Sequence, residues 1–254
     1  MPVSRYKLAA LAVLVILIAS AADAGSHPLH AATEPAPSSA LSPLAQQGKQ
    51  IFGFTPKYAA AWTGNTLSCT DCHLMDGTVP HAAPLNNIAN LFPAYSKRAG
   101  RVITLQQRIQ ECFVRSENGK PLPVSSPQMK ALVAYMQYLS RDGVKGRSSP
   151  GRGLVHLPAL TGDPSRGGAV YIAKCAACHQ PGGAGVPGAY PSVWGPDAYN
   201  TGAGMHHVSV MAAWVQHNMP LDHPGSLTPQ ESYDVAAYIH RQPHPQFNPA
   251  YKRY

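Results

Sequence analysis

The sequence predicts a mainly α-helical, loop-rich protein made of two small domains in tandem. A Cys-x-x-Cys-His motif occurs twice, at Cys69–His73 and at Cys175–His179. Some distance after each motif, Ser126-Pro127 and Thr228-Pro229 form the Ser/Thr N-cap and first-turn Pro that start a helix. The 25 Pro and 22 Gly residues favour loops over long regular elements.

The two halves of the chain form a weak internal repeat. Gly48–Phe52 corresponds to Gly167–Tyr171, and each segment leads into a Cys-x-x-Cys-His motif. The first half carries extra residues, 53–67, before its motif. The helix starts at Ser126 and Thr228 each open an apolar-periodic run. Each half is therefore predicted to contain a helix, the motif, loops and a C-terminal helix.

Cys-x-x-Cys-His places two thiols and an imidazole on one helical turn. The thiols capture the two vinyl groups of a haem, and the His becomes the proximal ligand of the iron. A zinc knuckle or a redox-active dithiol would explain a single Cys-x-x-Cys pair, but two copies with an adjoining His favour haem. We therefore predict two cytochrome c-like domains, each wrapped round one covalently bound haem c. The attachment residues are Cys69, Cys72, Cys175 and Cys178, and the proximal ligands are His73 and His179.

The N-terminus predicts export. Arg5 and Lys7 precede the apolar run Leu8–Ala19, and Ala22-Asp23-Ala24 is a small-residue cleavage site. The run is shorter than the roughly 20 apolar residues that span a bilayer. We expect a periplasmic protein with a cleaved signal peptide and no stable membrane insertion. The predicted segments are a signal peptide (1–24), a flexible leader (25–43), domain 1 (44–143), a linker (144–160), domain 2 (161–242) and a C-terminal tail (243–254).

Met219 is the predicted distal ligand of the second haem. It lies 40 residues after His179, just ahead of the terminal helix, which is the usual position of the distal Met in a small cytochrome c. Methionine ligation raises the reduction potential. The competing candidates are Met205, Met211, His206, His207, His217 and His223.

The first domain has no Met at the equivalent place. Counting 39 residues on from His73 reaches Cys112, the only cysteine outside the two motifs. A thiolate ligand favours ferric iron, so the two haems would differ and electrons would flow from the first to the second. Alternatives are His81 as the ligand, or Cys112 as a buried structural thiol. Met75 is too close to His73, and Met129 lies on the C-terminal helix.

Positive charge is concentrated in the first domain. The chain has a formal net charge of +8, and residues 44–145 carry 11 Lys and Arg against 5 Asp and Glu, whereas residues 161–242 carry 3 against 5. Some of these cations could pair with haem propionates. Arginine also recognises oxyanions through its forked donors, so we expect an anionic substrate, and nucleic acid is a poor match for an exported haem protein. The cations around Cys112 are Lys97, Arg98, Arg101, Arg108, Arg115 and Lys120.

Several segments together resemble the dihaem thiosulfate dehydrogenases. They are residues 64–73, Ala83-Pro84, Phe92-Pro93, residues 108–123 around Cys112, the second haem motif, Asn218-Met219-Pro220 and residues 247–251. The resemblance covers nearly the whole chain after the signal peptide. It implies that a His/Cys-ligated first haem joins two thiosulfates into tetrathionate, reversibly in some cases.

The same resemblance implies that the second haem passes electrons to a small acceptor such as a soluble cytochrome c. It also implies that Arg98, Arg108 and Ser116 line the substrate pocket. Asn218 stands where some members have Lys, which bears on ligand exchange at the second haem. The alternatives are an electron carrier without a substrate, or a cytochrome that helps load thiosulfate onto a carrier protein. A dihaem peroxidase is a third alternative, and it would require a five-coordinate haem and a distal acid.

Overall fold

The computed structural model describes residues 40–254, so the predicted signal peptide and most of the leader lie outside the described residues. The described part is mainly helical. Its helices are α1 (Pro43–Gly53), α2 (Thr55–Tyr58), α3 (Cys69–Cys72), α4 (Leu74–Gly77), α5 (Leu105–Arg115), α6 (Pro127–Tyr138), α7 (Pro164–Lys174), α8 (Ala176–His179), α9 (Val208–Asn218) and α10 (Pro229–His240). Strands β1 (Ala94–Ser96) and β2 (Arg101–Ile103) form an antiparallel hairpin, and short 3-10 turns lie at Ala89–Leu91, Gly204–His206 and Pro249–Tyr251.

Helices α6 and α10 begin where the Ser/Thr-Pro signatures predict. The Ser126 hydroxyl accepts a hydrogen bond from the Met129 amide, and the Thr228 hydroxyl accepts one from the Glu231 amide. These bonds satisfy amides that have no partner within the helix. The predicted helix starts are confirmed.

Each half packs its first helix across its last one, α1 on α6 and α7 on α10. The repeat glycines lie at the two crossings. A Cβ at Gly48 would collide with the Ala131 carbonyl, and a Cβ at Gly167 would collide with the Asp234 carbonyl. Only glycine lets the two backbones approach this closely, which explains why these positions match in the internal repeat.

The apolar core falls into two clusters, one for each half. Phe52 on α1 and Tyr171 on α7 are fully buried at matching places, and Phe52 lies 5.6 Å from Tyr135 between ring centroids. Leu67, which precedes the first haem motif, belongs to the cluster of the second half. The two halves are therefore packed against each other as well as internally.

Side-chain amides also join the halves. Asn65 donates to the Ala198 carbonyl at 3.1 Å, and Asn200 donates to the Val114 carbonyl at 2.9 Å. The indole N–H of Trp214 on α9 donates to the Cys72 carbonyl at 3.0 Å. The second half therefore contacts the first haem motif directly. Among residues 40–254, no helix is both long and apolar enough to cross a bilayer.

Candidate functional site

The first haem motif opens onto a cavity of about 1080 Å³, counting its open mouth. Cys69, Cys72 and His73 line it together with apolar side chains from α1, α5 and α6. A mostly apolar cavity with both thiols and the imidazole at its wall fits a covalently attached haem.

The hydrogen bonding of His73 leaves one ring nitrogen, Nε2, able to bind a metal. Its Nδ1–H can donate to the Ala83 carbonyl at 2.6 Å, which leaves Nε2 with a free lone pair. Burial lowers the pKa of His73, so the imidazole is neutral, the form that binds iron. His179 is held in the same way by the Pro191 carbonyl at 2.9 Å, and burial also lowers its pKa.

Helix α5 supplies the chemistry of the cavity. The Thr104 hydroxyl caps it by accepting a hydrogen bond from the Gln107 amide, and the Gln107 side-chain oxygen accepts one from the Thr104 amide. Residues three and four apart share one face of a helix, so Arg108 and Cys112 point the same way and Ser116 follows at the C-cap. All three line the cavity of the first haem motif.

The environment of Cys112 has opposing effects on its thiol. Burial raises the pKa of Cys112, and the charge of Arg108 opposes that rise. Nearby cations alone therefore do not make this cysteine a thiolate. Coordination to a metal, which deprotonates a thiol outright, would be needed to do so.

The other ligand candidates of the first domain lie elsewhere. Met75 is 75% exposed, and Met129 is buried in the core cluster. The His81 ring faces His217 edge-on at 4.9 Å between centroids, so it contacts the second half. Met136 on α6 lines the cavity and is a further sulfur candidate.

Arg98 does not line this cavity. It lies in a neighbouring cleft with Arg101, Lys252 and Arg253. Burial raises the pKa of Cys112, and the charge of Arg98 opposes that rise less than the charge of Arg108 does. Arg115 faces away from the cavity. Its guanidinium donates to the Gly202 and Tyr254 carbonyls at 3.2 and 2.9 Å and stacks over Phe247 at 4.2 Å.

Arg152 is a cavity residue that sequence reasoning missed. It lies in the predicted linker and lines the cavity beside Gly153. The Pro and Gly content of residues 144–160 indicated a passive connector, and no local pattern shows that this segment folds back. The amides of His81 and Ala83 donate to the Gly151 and Gly153 carbonyls at 2.7 and 3.2 Å, which holds it there.

In the second half, Met219 follows α9 directly and is half-buried against the apolar cluster that Cys175 also contacts. Its competitors differ in surroundings. Met211 is buried in that cluster, His223 is 76% exposed, and His206 packs against His240 and His244. Cys112 lies inside α5 whereas Met219 lies just after α9, so their similar spacing from His does not reflect similar local structure.

Comparison with known proteins agrees with this architecture. A family profile described as "SoxA/TsdA, cytochrome c domain" matches residues 56–144, and one described as "Cytochrome C oxidase, cbb3-type, subunit III" matches residues 162–239. These two matches confirm the predicted fold of two tandem cytochrome c domains.

Two curated relatives match most of the chain. A protein named thiosulfate dehydrogenase from Stutzerimonas stutzeri is 39% identical over 83% of this chain and 70% of its own length. Another with the same name, from Allochromatium vinosum, is 37% identical over 92% of both chains.

A solved structure has the same fold. Thiosulfate dehydrogenase (TsdBA) from Marichromatium purpuratum aligns with a TM-score of 0.75 at 37% identity, over 78% of this chain and 46% of that chain. The present chain therefore spans less than half of that protein. The identity, the coverage and the matching cytochrome domains together show that this chain belongs to the thiosulfate dehydrogenase family of c-type cytochromes.

Proposed function

We propose that this protein oxidises thiosulfate, joining two molecules into tetrathionate, and passes two electrons through its second domain to an external acceptor. One observation carries the proposal: Arg108, Cys112 and Ser116 meet the first Cys-x-x-Cys-His motif in a single cavity. A cysteine sulfur with a guanidinium beside it suits a sulfur oxyanion substrate. The names of the relatives support the same substrate.

The ligand set follows from the same residues. His73 and Cys112 would hold the iron of the first haem, and His179 and Met219 that of the second. When bound, a haem supplies an iron that takes up and returns one electron, so two haems can store the pair released in one turnover. The thiolate would keep the first potential low and the thioether would keep the second high, which directs electrons outward.

Cys112 would take part in the sulfur chemistry. Its thiolate forms a disulfide-type bond with the sulfane sulfur of one thiosulfate as two electrons leave. The sulfane sulfur of a second thiosulfate then attacks the sulfur that came from the first. Tetrathionate departs and the Cys112 thiolate is restored. Two thiosulfate dianions thus give one tetrathionate dianion and two electrons, and no proton is transferred.

Bringing two dianions together requires positive charge in a partly dehydrated site. Arg108 and Ser116 would bind the sulfonate oxygens in the cavity. Arg98, in the adjoining cleft, would attract the second anion and act on Cys112 through its charge.

The destination of the electrons is proposed from the second domain. Met219 would remain on the iron in both oxidation states, because Asn218 offers only a neutral amide. That amide is already engaged, since it donates to the Trp214 carbonyl at 2.8 Å and to the His81 carbonyl at 3.2 Å. The proposed acceptor is a small cytochrome c in the periplasm. The proposed export signal at residues 1–24 would bring this protein to the same compartment.

The test is to mix purified holoprotein with thiosulfate under anaerobic conditions. We expect reduction of both haems and, with excess acceptor, one tetrathionate for every two thiosulfates consumed. An electron carrier with no substrate of its own would show neither reduction nor tetrathionate. A carrier-loading cytochrome would need its partner protein before it consumed thiosulfate, and either outcome would refute the proposal.

A further inference from the structure

We propose that Arg152, from the segment joining the two domains, forms with Arg108 a two-arginine clamp that binds the sulfonate group of the substrate over Cys112. The inference rests on the proposed function. It adds that Arg152, and the segment that carries it, determine the affinity for the substrate. Its basis is the position of Arg152 at the cavity wall, the lack of a partner for its guanidinium among residues 40–254, and the fixed backbone that carries it.

Arg152 and Arg108 approach the same space from different parts of the chain. Both line the cavity that contains Cys112. Arg152 is exposed overall, yet partial desolvation and then the charge of Arg108 lower its pKa. Two guanidinium groups repel each other, so a cavity that holds both favours an anion between them.

Their partners differ. Arg108 donates one hydrogen bond, to the buried carboxylate of Glu111 at 2.6 Å. Within residues 40–254, the Arg152 side chain has no hydrogen-bond acceptor and no carboxylate partner. A guanidinium has five N–H donors in a planar fork that matches the oxygens of a sulfonate. The Arg152 fork is thus available to a ligand.

The backbone of this segment is held in place. The glycines on both sides of Arg152 have φ values of +69° and +86°, in the left-handed region that glycine adopts without strain. A Cβ at Gly151 would lie 2.6 Å from the Pro80 Cβ. The Gly153 carbonyl accepts the amide of Ala83, whose own carbonyl accepts the ring N–H of His73. The backbone that carries Arg152 is therefore held in place relative to the proximal ligand.

The competing explanation is that Arg152 pairs with a haem propionate. A measurement of anion binding distinguishes this explanation from the clamp. Sulfate has the sulfonate oxygens of thiosulfate but no sulfane sulfur, so it reports on anion binding without turnover. Sulfate would be titrated into the oxidised holoprotein by calorimetry, and thiosulfate KM and kcat would be measured alongside. The potential of each haem would be measured by spectroelectrochemistry.

In Arg152→Leu we expect the sulfate Kd and the thiosulfate KM to rise at least tenfold, with both haems attached and their potentials little changed. Arg152→Lys keeps the charge but loses the forked donors, so its Kd and KM should fall between those of the parent protein and those of Arg152→Leu. Arg147→Leu is the matched control, because Arg147 is an exposed arginine of the same segment that does not line the cavity. Its Kd and KM should stay within twofold of the parent.

Equal effects in Arg147→Leu and Arg152→Leu would mean general attraction and would overturn the inference. So would an unchanged sulfate Kd accompanied by a shifted potential of the first haem, which would assign Arg152 to a propionate. If the parent protein failed to oxidise thiosulfate yet bound sulfate through Arg152, the proposed function would fail and the clamp would stand.

Discussion

Arg115→Leu is predicted to destabilise the junction between the domains. Arg115 is 7% exposed, and its guanidinium reaches the Gly202 and Tyr254 carbonyls and the ring of Phe247. Its own carbonyl accepts the Asn200 amide at 3.1 Å. One side chain of domain 1 thus holds the second domain and the C-terminal tail together. Sequence reasoning placed Arg115 among the six cations around Cys112 that favour an anionic substrate.

The size of the effect follows from these contacts. Two hydrogen bonds from a charged donor contribute about 1.5 kcal/mol each, and the cation–π contact adds about 1 kcal/mol. Within residues 40–254, the Nε–H of Arg115 is buried without a hydrogen-bond partner, which offsets about 1 kcal/mol of that stabilisation. The net loss should be about 3 kcal/mol. With a denaturant slope of about 4 kcal/mol/M, the guanidinium chloride midpoint should fall by about 0.8 M.

The assay is equilibrium unfolding of the holoprotein, followed by tryptophan fluorescence and Soret absorbance. Arg141→Leu is the control, because Arg141 also stacks on an aromatic ring, Tyr138 at 4.1 Å, but has a side chain that is 39% exposed. Exposed pairs contribute about 0–1 kcal/mol, so this variant should change little. A loss below about 1 kcal/mol in Arg115→Leu, or equal losses in both variants, would refute the account of the junction.

Three further predictions concern the haem ligands and pH. Cys112→Met should leave both haems attached but remove thiosulfate oxidation measured with an artificial acceptor, whereas Met136→Leu should retain it; normal turnover in the first variant would count against a role for Cys112. Met219→Gly should abolish the methionine-to-iron charge-transfer band of the ferric protein and slow electron delivery, while Met211→Gly should keep the band, and the reverse pattern would move the ligand assignment. Burial and the neighbouring imidazoles lower the pKa of His206 from 6.5 to about 4. Between these two pH values the unfolded chain binds a proton that the folded chain does not. The contribution of His206 to the free energy of unfolding should therefore be fully present above pH 6.5 and decline as the pH falls toward 4. His206→Gln should flatten that decline in acid unfolding curves, and an unaltered curve would show that this cluster does not govern it.

Much of the fold could be predicted because its signals are local. The haem motifs are contiguous, and the caps at Ser126 and Thr228 bond to amides three residues away. Both halves have a glycine where two helices cross closely, so the close crossing is visible in the sequence of each half. Helix α5 was not predicted, although its face of Arg108, Cys112 and Ser116 has the four-residue spacing of a helix. The ligand role of Cys112 was predicted from its spacing to His73, whereas the pocket roles of Arg108 and Ser116 came from the family resemblance.

The sequence by itself identified the residues on which the proposed chemistry depends: two Cys-x-x-Cys-His motifs typical of haem attachment, a lone cysteine at a ligand-like distance and an excess of cations in one half. Only the tertiary structure decided which cations meet that cysteine. Arg108 lies at the cavity, Arg98 in the next cleft, Arg115 in the domain junction, and Arg152 returns from the linker. The physical reason is that a guanidinium reaches only a few ångströms. Its partners depend on how distant segments pack, and this packing leaves no periodic signal in the chain.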